Sequence, residues 1–331
     1  MEFTEIGPLQ AVSRIGLGTW AIGGWMWGGS DEKESIRTIH AALDLGINLV
    51  DTAPVYGFGR SEEIVGKALA QSSKRQKAVL ATKVCLNWQD GKVFRDARPE
   101  RIAQEIDDSL RRLQTDVIDL YQVHWPDPLV PFAETAAALR KLQQSGKIRA
   151  IGVSNYSPDQ MKAFASAAPL HSCQPPYNLF ERGIEEDVSP WCNEQGIALI
   201  TYGALCRGLL SGKMSPERKF EGDDLRQHDP KFKSPRFSQY LAAVDRLDRV
   251  AKGYGRTVLQ LAVRWILDRG VNVALWGARR PGQLDPVAGI SGWQLDEAAM
   301  AEIDAILAEE ITDPVGPEFM APPDREKAGV A

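Results

Sequence analysis

Several features that define other classes of protein are missing from this chain of 331 residues. It has no run of about 18 apolar residues, the minimum for a membrane-spanning helix, and its start, MEFTEIGPLQ, lacks the basic-then-apolar pattern of a signal peptide. It also lacks a basic excess, because the net charge is −5 with both signs interspersed. We therefore expect a cytoplasmic protein that binds neither membranes nor nucleic acid.

Metal-ligand and disulfide patterns are equally scarce. The chain has only four histidines and four cysteines, and they show neither the spacing of a metal site nor a CxxC pair. The sequence therefore predicts no metal site, and free thiols in a reducing compartment at Cys85, Cys173, Cys192 and Cys206.

The glycine-rich fingerprint of a Rossmann dinucleotide fold is absent as well. GLGTW, at residues 16–20, keeps only the opening G-x-G, and Trp20 stands where the backbone would have to approach a pyrophosphate closely. An open Rossmann sheet is therefore disfavoured.

What the chain does have is a regular alternation of short apolar runs with helix-period segments. Several runs are rich in Val and Ile and apolar throughout, as in parallel strands buried on both faces. After a short N-terminal hairpin over 3–12, the eight runs are 14–20, 47–51, 77–83, 117–123, 148–153, 171–176, 197–201 and 272–276. Eight strand–helix units predict an α/β fold, a (β/α)8 TIM barrel, as a single domain over 1–331.

The helix boundaries follow local signals, and two segments interrupt the repeat. Ser61 is expected to cap one helix, Pro99 to open another and Ser157–Pro158 to start a third. The polar stretch 208–236, after the seventh strand, is too long for a simple connection and is either functional or disordered. The tail from about Thr312 either frays or folds over a barrel mouth.

Four chemically distinct side chains fall in the first half of this repeat. Asp51 and Lys83 end two successive strands, and His124 directly follows a third. Tyr56 lies on the loop five residues beyond Asp51. Catalytic groups collect at the C-terminal ends of barrel strands, so this set suggests carbonyl chemistry with a tyrosine proton donor. Each residue taken singly has a structural alternative: a cap, an ion-pair partner, a core imidazole or a rim tyrosine.

The motifs around these residues resemble the signature of the aldo-keto reductases. DTAPVYG, with Ser61–Glu62 and Gly66, comes first, and Lys83 follows after its strand. The resemblance continues in order over roughly residues 10–310 through LYQVHWPD, IGVSN, QPPYNLF, YGALCRGLLSGK and GARRPGQL. YGALCRG is also similar to a bacterial subgroup with glycerol-type polyol or general aldehyde activity.

The resemblance implies a role for each of the four residues. Tyr56 would be the general acid/base, with its pKa lowered by the nearby Lys83 ammonium. Asp51 would keep Lys83 charged and oriented. A neutral His124 would donate a hydrogen bond to the substrate oxygen and fix its pose.

The resemblance also implies a nicotinamide dinucleotide as hydride source, NADP(H) in preference to NAD(H). Tyr202 would stack on the nicotinamide, and either Arg279 or Arg280 would meet the 2′-phosphate. The stretch 208–236 and the cations beside it would form a basic lid; the alternative is that they are solvated charges. The implied cofactor residues are Thr19, Trp20, Asp51, Ser154, Asn155, Gln174, Tyr202, Gly203, Ala204, Leu205, Cys206, Arg207, Lys213, Arg226, Gly277, Arg279, Arg280 and Gln283.

Three positions depart from the family pattern. Trp276 replaces the usual Pro of the last motif, and Gly203–Ala204 replaces Ser–Pro after the stacking tyrosine. Val287 stands where an Asn near the adenine is expected. The first two should change loop stiffness, and the third reduces the expected contacts to adenine.

Aromatic side chains cluster on the predicted C-terminal loops. An aromatic mouth around Tyr56 would suit a small, partly apolar aldehyde or ketone. The predicted pocket residues are Trp20, Trp27, Trp88 and Trp125, with Trp25 in the same group. Some of these rings are expected only to plug the rim.

The sequence thus predicts an NADP(H)-dependent reductase that interconverts small carbonyls, such as glyceraldehyde, and their alcohols, as a monomer or weak homo-oligomer. One alternative is a non-catalytic NADPH-binding regulatory subunit on the same fold, and the four retained catalytic residue types argue against it. Another is a different barrel enzyme, such as a lyase or isomerase, which would carry a phosphate-binding glycine loop without the Tyr202 and Arg279 motifs.

Overall fold

Eight parallel strands close into a barrel in the computed structural model, which describes residues 1–330. The strands in chain order are β1 (Phe3–Ile6), β2 (Leu9–Ser13), β3 (Ile15–Gly18), β4 (Leu49–Asp51), β5 (Val79–Val84), β6 (Leu86–Gln89), β7 (Lys92–Arg95), β8 (Ile118–Val123), β9 (Ile148–Ser154), β10 (Ser172–Gln174), β11 (Ala198–Thr201) and β12 (Val273–Gly277). The barrel runs β3–β4–β5–β8–β9–β10–β11–β12, and β12 pairs back onto β3. The predicted (β/α)8 fold is confirmed.

Helices connect the strands and cover the outside of the barrel. They are α1 (Trp20–Gly23), α2 (Glu32–Asp44), α3 (Arg60–Ala70), α4 (Pro99–Leu113), α5 (Phe132–Gln144), α6 (Pro158–Ala165), α7 (Val188–Gln195), α8 (Arg236–Gly253), α9 (Val258–Asp268), α10 (Glu297–Glu310) and α11 (Arg325–Ala328). Short 3-10 turns cover Gln71–Lys77, Gly183–Glu185, Cys206–Ser211, Leu225–Gln227, Pro230–Phe232, Pro281–Gln283, Asp285–Gly289 and Glu318–Met320. None of these helices is long and apolar enough to cross a membrane.

Local signals set most helix ends as expected. Pro99 is the first residue of α4, where its fixed φ suits a helix start and its missing N–H is not needed. Ser157 caps α6 in a reciprocal capping box with Gln160. The predicted Ser61 cap is wrong: α3 begins at Arg60 after Gly59, whose φ is 99°.

The N-terminal hairpin covers one end of the barrel. Ile6, Leu9 and Val12 of the N-terminal hairpin pack with Leu49 and Leu120 from inside the barrel. The hairpin, predicted over 3–12, therefore closes the end at which the strands begin. Polar side chains collect at the opposite end, where the strands finish.

Three segments differ from, or add detail to, the sequence prediction. The first barrel strand is shorter than 14–20, because it ends at Gly18 and Trp20 already lies in α1. The β6–β7 hairpin, which follows β5 directly, was not predicted. The tail packs on this hairpin: the Arg95 amide donates to the Pro323 carbonyl, and the Arg325 guanidinium lies 2.6 Å from an Asp96 carboxylate oxygen.

Candidate active site

The structure brings together the four residues expected to be catalytic. Asp51 is the last residue of β4, Lys83 lies one residue before the end of β5, and His124 directly follows β8. Tyr56 lies on the loop between β4 and α3 and is half-buried. Its hydroxyl oxygen is 3.3 Å from Lys83 Nζ, and its ring packs edge-on against the His124 ring with centroids 5.6 Å apart.

The Asp51 carboxylate is the buried centre of this group. Its Oδ1 accepts a hydrogen bond from Lys83 Nζ at 2.5 Å. Its Oδ2 accepts from the Gln122 amide at 3.2 Å and from the Gln174 amide at 3.0 Å. Three donors fix the orientation of the carboxylate, so Asp51 can hold the Lys83 ammonium in place.

Gln122 is a site residue that was not predicted from the sequence. Its side chain is fully buried inside the barrel, where its amide oxygen also accepts from Gln174 Nε2 at 3.2 Å. The sequence did contain one signal for it, the amide side chain within the buried strand IDLYQV. A buried amide needs hydrogen-bond partners, so its presence in a strand interior indicates a polar site. Gly152 leaves room for it, since a Cβ there would lie 3.0 Å from Gln122 Cγ.

Lys83 is held as a donor toward Tyr56. Its ammonium donates to Asp51, to the Thr52 carbonyl at 3.0 Å and to the Tyr56 hydroxyl oxygen. Burial lowers the pKa of Lys83, and the adjacent Asp51 carboxylate opposes that shift. Because the Lys83 N–H occupies a lone pair of the Tyr56 oxygen, the hydroxyl proton of Tyr56 is free to point elsewhere.

The expected lowering of the Tyr56 pKa does not appear in this structure. Burial raises the pKa of the phenol well above its usual value, and the Asp51 charge raises it further. Burial is the larger cause, and the Asp51 carboxylate, 2.5 Å from Lys83, acts against the stabilisation of a phenolate by the ammonium. Tyr56 is therefore fully protonated at neutral pH, the state that a proton donor requires.

His124 is neutral in this environment. Burial lowers the pKa of its imidazole well below the usual value, and the Lys83 charge lowers it further. A neutral imidazole has one N–H donor, which suits a hydrogen bond to an uncharged carbonyl oxygen.

The residues expected to bind the nicotinamide lie beside His124. Asn155, with φ 61°, donates from its amide to the His124 carbonyl oxygen at 2.9 Å and accepts from the Tyr202 hydroxyl at 2.8 Å. Ser154 donates to the Gln174 carbonyl oxygen at 2.6 Å. These bonds fix the Tyr202 ring, which is half-buried, at the rim of the barrel. The Gln174 amide points to Asp51 and Gln122.

A sharp turn follows Tyr202. The amides of Gly203, Ala204 and Leu205 make no backbone hydrogen bond within the described residues, while the Cys206 amide closes the turn onto the Gly203 carbonyl at 2.7 Å. Consecutive free amides in such a turn form an anion-binding concavity. This donor set fits the pyrophosphate of a dinucleotide.

Arg207 is a buried ion-pair partner, whereas the sequence predicted a cation beside a lid or, alternatively, a solvated charge. Its side chain is buried, with Nε 2.5 Å from Asp229 Oδ2 and Nη2 2.5 Å from Glu181 Oε1. The sequence pattern could not reveal this, because both carboxylates are more than twenty residues away. Lys213, in contrast, is exposed.

Three arginines gather near the end of β12. The half-buried Arg279 donates to the Trp27 carbonyl oxygen at 2.7 Å, and Arg280 is exposed. Burial lowers the pKa of Arg279, and so do the charges of Arg226 and Arg280. Arg226 is ion-paired to Asp224. Three guanidinium groups that repel one another would suit the binding of a phosphate group.

The remaining predicted cofactor residues occupy different surroundings. Gln283 accepts from the amides of Arg279 and Arg280 and so shapes the turn after β12, and Gly277 is exposed with open space above its Cα. Thr19 is buried and donates to the Asp51 carbonyl oxygen at 2.9 Å. Thr19, directly after β3, thus ties the end of that strand to the end of β4.

The predicted pocket tryptophans lie in three separate surroundings. Trp20 stacks on Tyr56 with centroids 5.9 Å apart, and Trp27 packs edge-on against Trp20 at 5.7 Å. Trp88 packs 5.5 Å from Phe58, which also contacts Trp25. Trp125 lies beneath the Arg95 guanidinium at 5.2 Å and belongs to the apolar cluster that contacts Tyr56.

Comparison with known proteins identifies the family. Residues 14–308 match the Aldo/keto reductase family. The chain belongs to this family. The resemblance seen in the sequence is thereby confirmed, as is the predicted class of enzyme, an oxidoreductase.

Individual relatives cover nearly the whole chain. The aldo-keto reductase YhdN of Bacillus subtilis (strain 168) is 60% identical over 330 residues, which are 99% of this chain and 100% of that protein. The structure of the glycerol dehydrogenase AKR11B4 from Gluconobacter oxydans is 54% identical with a TM-score of 0.88, covering 96% of this chain and 98% of that one. An aldo/keto reductase from Klebsiella pneumoniae, solved with NADP and acetate, is 29% identical with a TM-score of 0.71, covering 92% and 94%.

Proposed function

We propose that this chain, as a single barrel domain, is an NADP(H)-dependent reductase that reversibly reduces small aldehydes and ketones to alcohols. One observation carries the proposal: Lys83 Nζ bridges the buried Asp51 carboxylate and the Tyr56 hydroxyl oxygen, 2.5 and 3.3 Å away. This arrangement presents a protonated phenol, backed by a cation, to the open end of the barrel.

The chain's own residues would handle the proton. When bound, the dinucleotide supplies the hydride that the carbonyl carbon gains. The Tyr56 hydroxyl gives its proton to the carbonyl oxygen, and the Lys83 ammonium stabilises the phenolate that remains. Neutral His124 donates a hydrogen bond to the same oxygen and positions it. In the reverse direction the Tyr56 phenolate accepts the alcohol proton.

The donor groups at the barrel mouth support NADP(H) as the dinucleotide. The free amides of Gly203, Ala204 and Leu205 would bind the pyrophosphate, and the Tyr202 ring would stack on the nicotinamide. Arg279 and Arg280 would compete for the 2′-phosphate, which a guanidinium binds through paired N–H groups. The NADP in the Klebsiella relative's structure is consistent with this choice.

The walls around Tyr56 favour a small substrate. Trp20 stacks on Tyr56, and both Tyr56 and Trp125 pack against the apolar cluster of Ala53, Val55 and Leu86, so the surroundings of the hydroxyl are partly apolar. The name of the Gluconobacter relative, a glycerol dehydrogenase, supports glyceraldehyde and glycerol-type polyols as the first compounds to test. The four buried free thiols suit the proposed cytoplasmic location.

The test is oxidation of NADPH in the presence of DL-glyceraldehyde, followed by absorbance. We expect turnover that requires both compounds and that Tyr56→Phe abolishes. Absence of turnover with a panel of small aldehydes and ketones, from a protein that binds NADPH, would contradict the proposal.

A further inference from the structure

The buried guanidinium of Arg207 belongs to a cluster of four charges that the proposed reaction does not use. The Glu181 carboxylate accepts from Arg207 and from Lys231 Nζ, at 2.5 and 2.8 Å, and also from the Asn178 amide at 2.8 Å. Asp229 accepts from Arg207 Nε and from the Lys231 backbone amide. The side chains of Glu181, Arg207, Asp229 and Lys231 are each at most 4% exposed, so two cations and two anions neutralise one another in the interior.

This cluster joins four stretches of chain that are remote in sequence. Arg207 lies in the turn after β11, Glu181 follows β10, and Lys231 lies near the end of the stretch 208–236. Lys231 Nζ also donates to the Gly316 carbonyl oxygen in the tail at 3.2 Å. Asn178 extends the cluster to the cofactor side, because its amide donates to the Gly203 carbonyl oxygen at 3.0 Å.

The backbone at Arg207 needs such support. Cys206 and Arg207 have φ values of 44° and 54°, two consecutive non-glycine residues in the left-handed region. This conformation is unfavourable for residues with a Cβ and persists only where the surroundings enforce it. Although burial alone would raise the pKa of Glu181, Arg207 and Lys231 lower it, so the carboxylate remains charged and able to hold Arg207.

We propose that Glu181 and Arg207 are positioning residues that hold the turn 203–207 and the stretch 208–236 in the form that binds the dinucleotide. The proposal rests on the proposed function for its ligand. The cluster fixes the turn before binding, so that the free amides of Gly203 to Leu205 need no ordering when the pyrophosphate arrives. Loss of the cluster should therefore weaken cofactor binding more than it slows the chemical step.

Arg264 supplies a matched control. It is equally buried and ion-paired, with Nη2 2.8 Å from Asp268 and Nη1 3.0 Å from Glu2, but these partners lie at the end of α9 and at the N-terminus, away from the turn. Arg207→Met and Arg264→Met should lower the melting temperature to a similar extent, because each leaves one buried carboxylate, Asp229 or Asp268, without its cation. Only Arg207→Met should raise the Kd for NADPH, by about tenfold or more, as loss of preorganisation does.

A second readout needs no cofactor. Trypsin can cleave the exposed Lys213, Arg218 and Lys219 in the stretch 208–236. Cleavage there should be faster in Arg207→Met than in the wild type or Arg264→Met, with the fragments identified by mass spectrometry. Glu181→Gln, which keeps the size of the side chain, should act in the same direction, and Arg207→Lys should recover part of the NADPH affinity. These two variants decide the matter if Arg207→Met does not fold.

The outcomes separate the anchor from the reductase activity. A wild-type Kd and cleavage rate in both Arg207→Met and Glu181→Gln would overturn the positioning role, and so would equal effects of Arg264→Met. A wild-type protein that does not bind NADPH would contradict the proposed function, and the cleavage rates would then decide alone whether the cluster anchors the stretch.

Discussion

The Lys83 ammonium lies 2.5 Å from Asp51 Oδ1, and both side chains are almost fully buried. Removing one partner of a buried pair leaves the other charge without compensation, which typically costs about 3 to 5 kcal/mol of stability. Asp51 also affects the protonation of the site, since its charge adds to burial in raising the pKa of the Tyr56 phenol. This pair therefore affects both the stability of the protein and the protonation of Tyr56.

Lys83→Met should damage both stability and turnover. The free energy of unfolding, measured with urea, should fall by about 3 to 5 kcal/mol because Asp51 loses its cation. Turnover should be lost because no ammonium stabilises the Tyr56 phenolate. The exposed Lys213, changed to Met, is the control and should preserve stability. An active Lys83→Met protein would remove Lys83 from the proposed mechanism.

Tyr56→Phe should abolish reduction while the protein still binds NADPH. The change removes only the hydroxyl, so the stacking of the ring on Trp20 is retained. General acid catalysis typically accelerates a reaction by about 10²- to 10⁴-fold, so the turnover number for glyceraldehyde should fall by at least about 10²-fold. The NADPH affinity, followed by tryptophan fluorescence, should change little. Undiminished turnover would exclude Tyr56 as the proton donor.

The pH dependence follows from the two pKa shifts. Reduction requires protonated Tyr56, and its raised pKa keeps it protonated at any pH below about 10, the usual pKa of a tyrosine. Reduction also requires neutral His124, and its lowered pKa keeps it uncharged at any pH above about 6.5, the usual pKa of a histidine. The rate of reduction at saturating NADPH should therefore be constant from about pH 7 to pH 9. A rate that falls within this window would show that Tyr56, His124 or Lys83, whose pKa burial lowers, titrates there.

The lowered His124 pKa also affects stability, with a definite sign. The unfolded chain binds a proton at His124 near pH 6.5, whereas the folded chain does not, so this histidine favours unfolding as the pH falls below that value. Above it the group has no effect. The free energy of unfolding of His124→Asn should depend less on pH between about 7 and 5 than that of the wild type. Identical slopes for the two proteins would be inconsistent with a buried neutral His124.

Arg279→Ala should discriminate between the two dinucleotides. If Arg279 binds the 2′-phosphate, the Kd for NADPH should rise about tenfold to a hundredfold, the usual range for a lost hydrogen bond to a charged group. The Kd for NADH, which lacks that phosphate, should change little. Arg280→Ala, at the exposed neighbour, is the comparison. A larger effect of Arg280→Ala would assign the contact to Arg280.

The fold and the placement of the four reactive residues followed from local sequence patterns. Apolar runs between helix signals predicted the barrel, and the strand ends at Asp51 and Lys83 predicted which side chains would meet. The Ser61 cap failed because Ser61 is drawn into the interior, where its hydroxyl lies 2.8 Å from Thr19 Oγ1. A local signal cannot show such a partner, 42 residues away.

The parts of the site that were missed depend on contacts between distant residues. Gln122 acquires its role only when the closed barrel places it against Asp51, 71 residues earlier in the chain. The sequence pattern indicated that Arg207 is a loop cation, whereas in the structure it is buried and ion-paired with Glu181 and Asp229. The direction of the Tyr56 pKa shift likewise required the burial of the phenol, which motif spacing does not encode.

The central claim is that the Asp51–Lys83–Tyr56 group reduces carbonyls with NADPH. The most direct measurement titrates the purified protein with NADPH and with NADH by tryptophan fluorescence, then adds DL-glyceraldehyde and follows the absorbance of the reduced nicotinamide. We predict tighter binding of NADPH and its oxidation on addition of aldehyde, lost in Tyr56→Phe. Binding without oxidation across a panel of small carbonyls, or no binding at all, would contradict the account.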